Sequence, residues 1–393
     1  MNILVVYINA VDPVRGGTER VSYTVAEALK KKGHSVYFLA THATAADKRF
    51  EQQKEYFLID SQVSYEERKQ KIIEICRDLC IDVVINECAE FGLGTILSNK
   101  VLKGTKVISC THLDIYGLVK YFHRPNPVSR IKRGILSFLA FFGIYPHYIK
   151  HYIMYKKIFR EVVHESDAVV AVTPIIAEQI KQFVGVKSNK ITSILNPLTS
   201  DSLQPFYDAA AKEKVLLYVG RLSHTKNVDL ILKSWNKIAA QYPEWSLEIA
   251  GEGDEKSRLV SLVERNRIPR VRFHGQVSNL APLYSRAEYL LLASDSESFS
   301  CVVLESMAYG CHPIVFDYPS APIVIPNPQL GTRVKRHSCR AFARSVANAI
   351  SSGVTNRDVM HKVAEHLSQF DMDKLVLQWL ALLEQIQISP EHE

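Results

Sequence analysis

Short apolar segments alternate with amphipathic helical segments along most of the chain, and this alternation constrains the fold more than any other feature. The first example is the run ILVVYI at residues 3–8, which is followed by a polar loop and by helical periodicity over residues 19–32. A strand without a polar face is buried on both sides, which is typical of a parallel sheet covered by helices. Parallel strands are joined by crossover helices, so the sequence predicts an α/β fold whose ligands bind at the carboxyl ends of the strands.

The same pattern occurs in both halves of the chain. In the first half it predicts strands at 35–40, 82–86, 106–110 and 167–172, with helices near 64–80 and 92–101. After a polar stretch near 199–213, it predicts strands at 214–220, 246–251, 271–275 and 288–293, with helices at 228–241, 254–267, 279–286 and 302–309. A chain of 393 residues is longer than one core usually supports. We therefore predict two Rossmann-like parallel-sheet domains that face a cleft, over residues 1–197 and 198–372, and a C-terminal helix within 373–393 that packs back across the domains.

The composition excludes several classes of protein. Hydrophobic residues make up 47% of the chain and charged residues 23%, which is ordinary for a globular protein. The N-terminal residues MNILVVYINA carry neither a basic leader nor a small-residue cleavage site, so we expect a cytoplasmic location rather than secretion. The seven cysteines are scattered and odd in number, and their spacing predicts neither a disulfide framework nor a metal site.

The strongest chemical signal lies in the second half, in the segment SDSESFSCVVLESMA at residues 294–308. Glu297 follows a predicted strand, and Glu305 lies about one turn inside the next predicted helix. The backbone amides of Ser298, Phe299 and Ser300 would then point from a helix N-terminus, where phosphate oxygens bind. The two carboxylates are suited to accept hydrogen bonds from sugar and ribose hydroxyls. The alternative is that both are ordinary solvated charges of a helix terminus.

Two cations follow the first strand of the same half. Arg221 and Lys226 lie in the segment YVGRLSHTKN, directly after Gly220. They can neutralise a diphosphate as its leaving-group charge grows, although isolated surface cations are equally common. Because this basic pair and the helix N-terminus both lie at strand ends of one sheet, the sequence predicts an anion pocket there.

Two features of the first half follow strands in the same way. Gly16-Gly17 comes after the first strand and would let the backbone approach a phosphate closely, or would form a plain tight turn. His112 comes after the strand KVISC, with Asp114 two residues later. A histidine at a strand end is a candidate for the active site, although an isolated histidine is often structural.

The pair Glu297-x7-Glu305 together with Gly220-Arg221 and Lys226 resembles the motifs of the retaining glycosyltransferases of family 4, which have the GT-B fold. Gly16-Gly17 looks like the family's first glycine loop, and Thr111-His112 like its active-site histidine region. Phe273-His274-Gly275 is similar to the strand end before its base-binding loop.

The resemblance implies roles for these residues. Arg221 and Lys226 would hold the diphosphate, Glu305 the ribose and Glu297 the transferred sugar, with Gly220 and Gly275 lining the nucleotide and His112 taking part in the reaction. The acceptor-binding domain would be 1–197 and the nucleotide-sugar-binding domain 198–372. No metal or other cofactor is expected. The co-substrate would be a nucleotide diphosphate sugar, with UDP favoured, and the acceptor a lipid-linked or growing glycan of a surface polysaccharide such as lipopolysaccharide or capsule.

The sequence departs from the family at three places, namely Ser300 in the place of a frequent glycine, Leu198 after Pro197, and the segment Tyr318–Pro322. Two other functions stay open at this point. One is a nucleotide-sugar epimerase of the same fold, which would need no second acceptor. The other is a non-catalytic protein that binds a nucleotide sugar.

A basic and aromatic segment over residues 119–160 has a different character. No acidic residue lies between Asp114 and Glu161, whereas nine lysines and arginines do. Its longest apolar run has about eleven residues, and a membrane span needs roughly 20. Basic residues interleaved with aromatic ones are suited to an anionic membrane surface, so we expect peripheral attachment to the inner face of the cell membrane. A solvated basic face is the alternative; nucleic acid is not expected, because no recognised motif accompanies the charge.

Overall fold

The structure is a computed structural model that describes residues 1–89, 97–98, 100–115, 117, 146–186, 188–199, 212–335, 337–355 and 359–388. The chain divides into two compact units, the first formed by Met1–Pro197 with Met372–Glu393 and the second by Leu198–Asp371. Each unit is built on its own parallel sheet. The predicted pair of parallel-sheet α/β domains is therefore confirmed.

The first unit contains a seven-stranded sheet in the order β3-β2-β1-β4-β5-β6-β7. Its strands are β1 (Asn2–Tyr7), β2 (Ser35–Ala43), β3 (Tyr56–Asp60), β4 (Val83–Asn86), β5 (Lys106–Thr111), β6 (Ala168–Ala171) and β7 (Ile191–Ser193). Since β1 has β2 on one side and β4 on the other, the direction of the strand order changes between β1 and β4. Open α/β sheets bind ligands at such a switch point.

A short 3₁₀ helix and several α-helices lie between these strands among the described residues of the first unit. They are the 3₁₀ helix Ala45–Phe50 and the helices α1 (Gly17–Lys31), α2 (Tyr65–Asp78), α3 (Pro146–Glu165) and α4 (Pro174–Val184). The start of α4 is well specified, because Thr173 accepts a hydrogen bond from the Ile176 amide and Pro174 occupies the first turn. Its end is at Gly185, which has the left-handed conformation that favours glycine.

The C-terminal helix (Met372–Ile388) belongs to the first unit and packs against α1. It buries one face, on which Leu375, Trp379 and Leu383 are each no more than 6% exposed. The predicted helix therefore begins one residue earlier than expected and returns to the N-terminal unit.

The second unit contains a six-stranded sheet in the order β10-β9-β8-β11-β12-β13. Its strands are β8 (Glu213–Val219), β9 (Ser246–Ala250), β10 (Val271–Gly275), β11 (Ala287–Leu292), β12 (His312–Phe316) and β13 (Thr332–Val334). Its helices are α5 (Val228–Ile238), α6 (Lys256–Arg265), α7 (Ala281–Arg286), α8 (Cys301–Ala308), α9 (Ala321–Val324), α10 (Cys339–Ser352) and α11 (Met360–Leu367). The direction of its strand order changes between β8 and β11.

Several elements were not predicted from the sequence, among them β3, β12 and β13. The strand β12 begins with His312-Pro313, which are unusual residues for a buried strand, and β13 has three residues. The predicted helix near 92–101 and the polar connection near 199–213 lie largely outside the described residues. So does the basic segment up to residue 145; its later part lies in α3. Among the described residues, the helices are too short or too polar to cross a membrane.

Candidate active site

In the second unit, the predicted site residues follow two neighbouring strands. Gly220, Arg221 and the 3₁₀ helix His224–Lys226 come after β8, and Glu297 comes after β11. The two strands are parallel partners at the switch point of the sheet. Their carboxyl ends therefore bring the two loops to the same edge of the sheet.

The two loops meet through a charged pair. The Lys226 Nζ atom donates to Glu297 Oε1 at 2.5 Å, with the lysine side chain 27% exposed and the glutamate side chain 11% exposed. Arg221 is exposed in the same loop, and its backbone carbonyl accepts a hydrogen bond from the Tyr218 hydroxyl at 2.9 Å. The structure thus places a partly sheltered cation beside a carboxylate, with a second cation nearby in sequence.

Further hydrogen bonds fix the Glu297 loop. The Asn227 side-chain amide donates to the Ala293 carbonyl at 3.0 Å, and the Asp295 amide donates to the Thr225 carbonyl at 3.2 Å. The buried Ser320 hydroxyl donates to the Glu297 carbonyl at 2.9 Å. Ser320 belongs to Tyr318–Pro322, the segment whose sequence departs from the family pattern. This segment therefore supports the Glu297 loop through a contact that the family pattern does not predict.

Glu305 lies inside α8 and is only 3% exposed. Its Oε1 atom accepts a hydrogen bond from the Thr199 hydroxyl at 2.8 Å, and its Oε2 atom accepts one from the Tyr284 hydroxyl at 3.0 Å. A buried carboxylate needs such donors, because burial without them is costly. Thr199 and Tyr284 could not be predicted from the sequence, because neither belongs to a motif.

The loop between Glu297 and α8 contains a phenylalanine that packs in the core and two serines. The Phe299 ring is 7% exposed and packs edge-on against Phe370, with ring centroids 5.7 Å apart, so its side chain belongs to the core. Ser300 is the N-cap residue of α8, and its side chain does not cap the helix. Ser298 is half-buried. Their backbone amides lie at the start of α8, and the binding of phosphate oxygens by these amides stays a prediction.

Backbone conformation and close contacts explain the glycines of this unit. A Cβ atom on Gly251 would lie 1.9 Å from the Gly220 carbonyl oxygen, so the loops after β8 and β9 require a glycine there. Gly275 ends β10 with a φ of +72°, and a Cβ atom on it would lie 2.9 Å from Glu252 Oε1. Gly220 has a φ of +149°, so Gly220 and Gly275 both have backbone conformations that favour glycine, in addition to any contact with a ligand.

In the first unit, two polar residues likewise follow neighbouring strands. Glu87 comes after β4 and His112 after β5, and the His112 Nε2 atom lies 2.6 Å from Glu87 Oε2. Both side chains are sheltered, with exposed fractions of 10% for histidine and 5% for glutamate. They line a cavity of about 20 Å³ together with Val21, Val25, Cys110, Val170, Val172, Ile194, Leu195, Asn196, Pro197 and Trp379. Glu87 was not predicted, although it follows the strand DVVIN just as His112 follows KVISC.

The loop after β1 is anchored by a buried aspartate. Asp47 accepts hydrogen bonds from the Ala10 amide, from Arg15 Nη1 and from both the amide and the hydroxyl of Thr44, over 2.8–3.2 Å. Burial acts to raise the pKa of Asp47, but the Thr44 hydrogen bonds and the Arg15 charge outweigh it, so the pKa is lowered. The carboxylate is therefore stable as an anion and holds residues 10–15 in place.

The Gly16-Gly17 pair lies where this loop enters α1. Gly16 is the N-cap residue of α1, and a Cβ atom on it would lie 2.5 Å from Glu19 Oε2. Glu19, which is 8% exposed, thus folds back over the start of its own helix. The glycine accommodates that carboxylate, and the approach of a phosphate to Gly16-Gly17 stays a prediction.

Two known protein families match parts of this sequence. Residues 15–201 match the family described as Glycosyltransferase Family 4, and residues 200–366 match Glycosyl transferases group 1. The chain is a group 1 glycosyltransferase. Together the two matches extend over both units, so this transferase has the family's N-terminal and C-terminal parts.

Three known proteins illustrate the relationship of the transferase to others. A Haemophilus influenzae protein named an uncharacterized glycosyltransferase is 25% identical over 94% of this chain and 96% of its own length. A Campylobacter jejuni N-acetyl-D-galactosaminyltransferase, whose name describes an undecaprenol-linked acceptor, is 25% identical over 50% of this chain and 55% of its own. The structure of Anabaena HepE with UDP and glucose has a TM-score of 0.74 and 14% identity, covering 98% of this chain and all of the other.

In the transferase, two buried tyrosines lie near Glu297. Burial raises the pKa of Tyr218, and the Glu297 charge raises it further. The same two causes, in the same order, raise the pKa of Tyr318. Both phenols therefore stay neutral and contribute no charge near Glu297.

Among the residues that the structure describes, histidine, cysteine, aspartate and glutamate form no cluster of three that could hold a metal ion. Of the predicted residues, the structure brings Lys226 and Glu297 into contact and places Arg221 and Gly220 in the Lys226 loop. It adds Glu87 beside His112, and Thr199 and Tyr284 beside Glu305.

Proposed function

We propose that this transferase moves a sugar from a nucleotide diphosphate sugar, with UDP favoured, to a lipid-linked or growing glycan during surface polysaccharide synthesis. The reaction retains the anomeric configuration and needs no metal ion. The observation that carries the proposal is the Lys226–Glu297 pair at the switch point of the second sheet. In this pair, a positive charge that can bind a diphosphate lies beside a carboxylate that can accept hydrogen bonds from sugar hydroxyls.

The donor is held within the second unit. Arg221 and Lys226 neutralise the diphosphate, and their charge matters most as the leaving diphosphate becomes more negative. The amides of Ser298, Phe299 and Ser300 at the start of α8 bind phosphate oxygens. Glu297 accepts hydrogen bonds from the transferred sugar, and Glu305 accepts them from the ribose.

The first unit contributes the acceptor side of the reaction. His112, fixed by Glu87, binds hydroxyl groups of the reacting sugars. The acceptor hydroxyl attacks the anomeric carbon on the face from which the diphosphate leaves, and the departing diphosphate takes the acceptor's proton. The new glycosidic bond therefore keeps the configuration of the donor.

Two relatives support the choice of substrates. The structure of the Anabaena protein contains UDP and glucose, and the Campylobacter enzyme's name describes a polyprenol-linked glycan as acceptor. The epimerase alternative would leave the sugar attached to its nucleotide. Glu297 contacts Lys226, and Arg221 lies in the same loop as Lys226. This combination disfavours the alternative of a non-catalytic protein that binds a nucleotide sugar.

A transfer assay with the full-length protein tests the proposal. We would offer labelled UDP- and GDP-linked sugars together with polyprenyl diphosphate-linked acceptors, with and without EDTA. The expected result is a glycosylated lipid whose new bond has the anomeric configuration of the donor, formed equally in EDTA. An inverted product, an epimerised donor without transfer, or loss of transfer in EDTA would each contradict a stated part of the proposal.

We also propose that α3 holds the enzyme on an anionic membrane. Lys150, Ile153, Met154 and Lys157 have the i, i+3, i+4, i+7 spacing of one helix face. Ile153 is 62% exposed and Met154 40% exposed, which is unusual for such apolar residues, and the two lysines are exposed beside them. The opposite face carries Phe159, which is fully buried. Exposed apolar side chains between lysines suit an interface of anionic headgroups and acyl chains.

Vesicle flotation tests this attachment. Replacing Lys150 and Lys157 by alanine should weaken binding to phosphatidylglycerol-containing vesicles roughly 30-fold, since each cation near an anionic surface contributes about 1 kcal/mol. Ile153→Asp should weaken it as well. The matched control is Leu377→Asp on the C-terminal helix, where leucine is 57% exposed. Equal binding by the α3 variants and the control would reject α3 as the docking face.

A further inference from the structure

Glu305 is held by two neutral hydroxyl groups from separate parts of the second unit. Thr199 lies near the start of the unit, 106 residues before Glu305, and Tyr284 lies in α7. Each hydroxyl donates to a different carboxylate oxygen, at 2.8 and 3.0 Å. Together they determine the plane of the carboxylate as well as its position.

Tyr284 is itself rigidly held. Its side chain is 2% exposed and its ring stacks on Tyr309, with centroids 5.8 Å apart. Its backbone carbonyl accepts hydrogen bonds from the Lys212 amine at 2.9 Å and from the Cys311 thiol at 3.0 Å. A phenol with so little freedom can impose an orientation on the carboxylate that it contacts.

The position of Thr199 is also determined by packing. The preceding residue, Leu198, is 7% exposed, and its amide donates to the Phe370 carbonyl at 2.8 Å. Phe370 in turn packs against Phe299 in the loop before α8. Thr199 is therefore tied to the same cluster that supports the loop between Glu297 and Glu305.

An oriented carboxylate has a specific chemical use. A carboxylate oxygen can accept two hydrogen bonds, so a carboxylate that accepts one from Thr199 and one from Tyr284 can also receive a vicinal diol. Fixing the three torsions of a glutamate side chain before the ligand arrives lowers the entropic cost of binding. A 2′-deoxyribose, which lacks one of the two hydroxyls, would leave the second oxygen poorly matched.

We infer that Tyr284 and Thr199 are positioning residues that orient Glu305 toward the 2′- and 3′-hydroxyls of the donor ribose and so set the preference for ribonucleotides over 2′-deoxyribonucleotides. This inference rests on the proposed binding of the ribose by Glu305. It concerns the nucleotide part of the donor and is independent of which sugar is transferred.

Calorimetric titration with UDP, GDP and their 2′-deoxy counterparts tests the inference. The wild-type protein should bind its preferred ribonucleotide at least about tenfold more tightly than the deoxy form, because the deoxy form lacks one hydrogen bond to the buried Glu305 carboxylate. Tyr284→Phe and Thr199→Val should each lower this ratio to roughly threefold or less, by weakening the ribonucleotide and leaving the deoxynucleotide nearly unchanged. Thr199→Ser keeps the hydroxyl and should keep the ratio.

Steady-state kinetics give a second readout. The two variants that lose a hydroxyl should raise KM for the donor at least about threefold and leave kcat nearly unchanged, because the reacting bonds are remote from the ribose. If Tyr284→Phe fails to fold, Thr199→Val, on a half-buried residue, provides the decisive comparison.

The outcomes separate the inference from the proposed function. An unchanged preference in both variants, with a clear preference in the wild type, would overturn the positioning role and leave the proposed function intact. A wild-type protein that binds ribo- and deoxyribonucleotides equally would overturn both the inference and the ribose role of Glu305. A protein that binds neither UDP nor GDP would overturn the proposed donor class itself.

Discussion

The two units place similar pairs at the carboxyl ends of neighbouring strands, but the pairs differ in chemistry. In the second unit Lys226 contacts Glu297 at 2.5 Å, and in the first His112 contacts Glu87 at 2.6 Å. The lysine carries a permanent charge at neutral pH and its side chain is 27% exposed, whereas the histidine side chain is 10% exposed. A permanent, accessible charge suits a diphosphate. An imidazole held by a carboxylate suits hydroxyl groups.

The units also differ in how they fix the loops that carry these pairs. The Glu297 loop is held by backbone carbonyls that accept hydrogen bonds from Ser320, Asn227 and the Asp295 amide. The loop after β1 in the first unit is instead held by one buried anion, Asp47. Hydrogen bonds between neutral groups do not titrate, whereas a carboxylate anchor is lost once it is protonated, so the first unit should be more sensitive to strong acid at this loop.

The largest expected effect is at the lysine pair. Lys226→Ala or Glu297→Ala should lower kcat at least about a hundredfold, because each removes a preorganised contact from the reaction centre. The measurement is the initial rate of sugar transfer at saturating donor. The control is Lys233→Ala, which breaks a lysine–carboxylate pair of 2.8 Å with Asp229 on the exposed surface of α5. Turnover close to that of the wild type in either site variant would reject the assigned pocket.

A smaller effect is expected at the histidine pair. Glu87→Gln should lower kcat roughly tenfold, because a neutral amide holds the imidazole less firmly and can turn its NH₂ group toward the ring. The second unit offers a comparison, because His274 Nε2 lies 2.6 Å from Glu248 Oε2, although this carboxylate also pairs with Arg286. Glu248→Gln should leave kcat at saturating donor nearly unchanged. If both variants lose activity equally, the effect belongs to general stability and Glu87 does not act through His112.

The strand ends explain which parts of the site could be predicted from the sequence. Lys226, Glu297 and His112 each follow an apolar segment that was recognised as a strand, and neighbouring parallel strands bring such residues to one edge. Glu87 satisfies the same rule and could have been found with it. Two parallel sheets were also predictable, because the apolar segments of their central strands have no polar face.

Other parts depend on contacts that no local pattern records. The Thr199–Glu305 bond joins residues 106 positions apart, and the Tyr284–Glu305 bond joins residues 21 apart in different helices. Ser320 lies in a segment that departs from the family, so its support of Glu297 could not be carried over from a motif. Edge strands such as β13, with three residues, are formed by pairing with a neighbour rather than by their own sequence.

The smallest expected effect is on stability and concerns Asp47, which holds the loop after β1 in the first unit. Asp47→Asn should lower the free energy of unfolding at pH 7 by about 1–3 kcal/mol, since it weakens hydrogen bonds to a buried charged group. The control is Asp78→Asn, which alters a largely exposed pair with Arg77 and should change stability by less than about 0.5 kcal/mol. Urea denaturation of both variants measures the difference.

The difference in stability between the wild type and Asp47→Asn should depend on pH in one direction. Because the folded state lowers the pKa of Asp47, its stabilising contribution is fully present above the unfolded value of about 3.9 and is lost as the pH falls through the lower folded value. The difference in stability between the wild type and Asp47→Asn should therefore be constant from pH 7 to about pH 5 and shrink below about pH 4. A difference that instead grows on acidification would show that Asp47 is protonated in the folded protein, and the contrast between a charged anchor in one unit and neutral anchors in the other would be wrong.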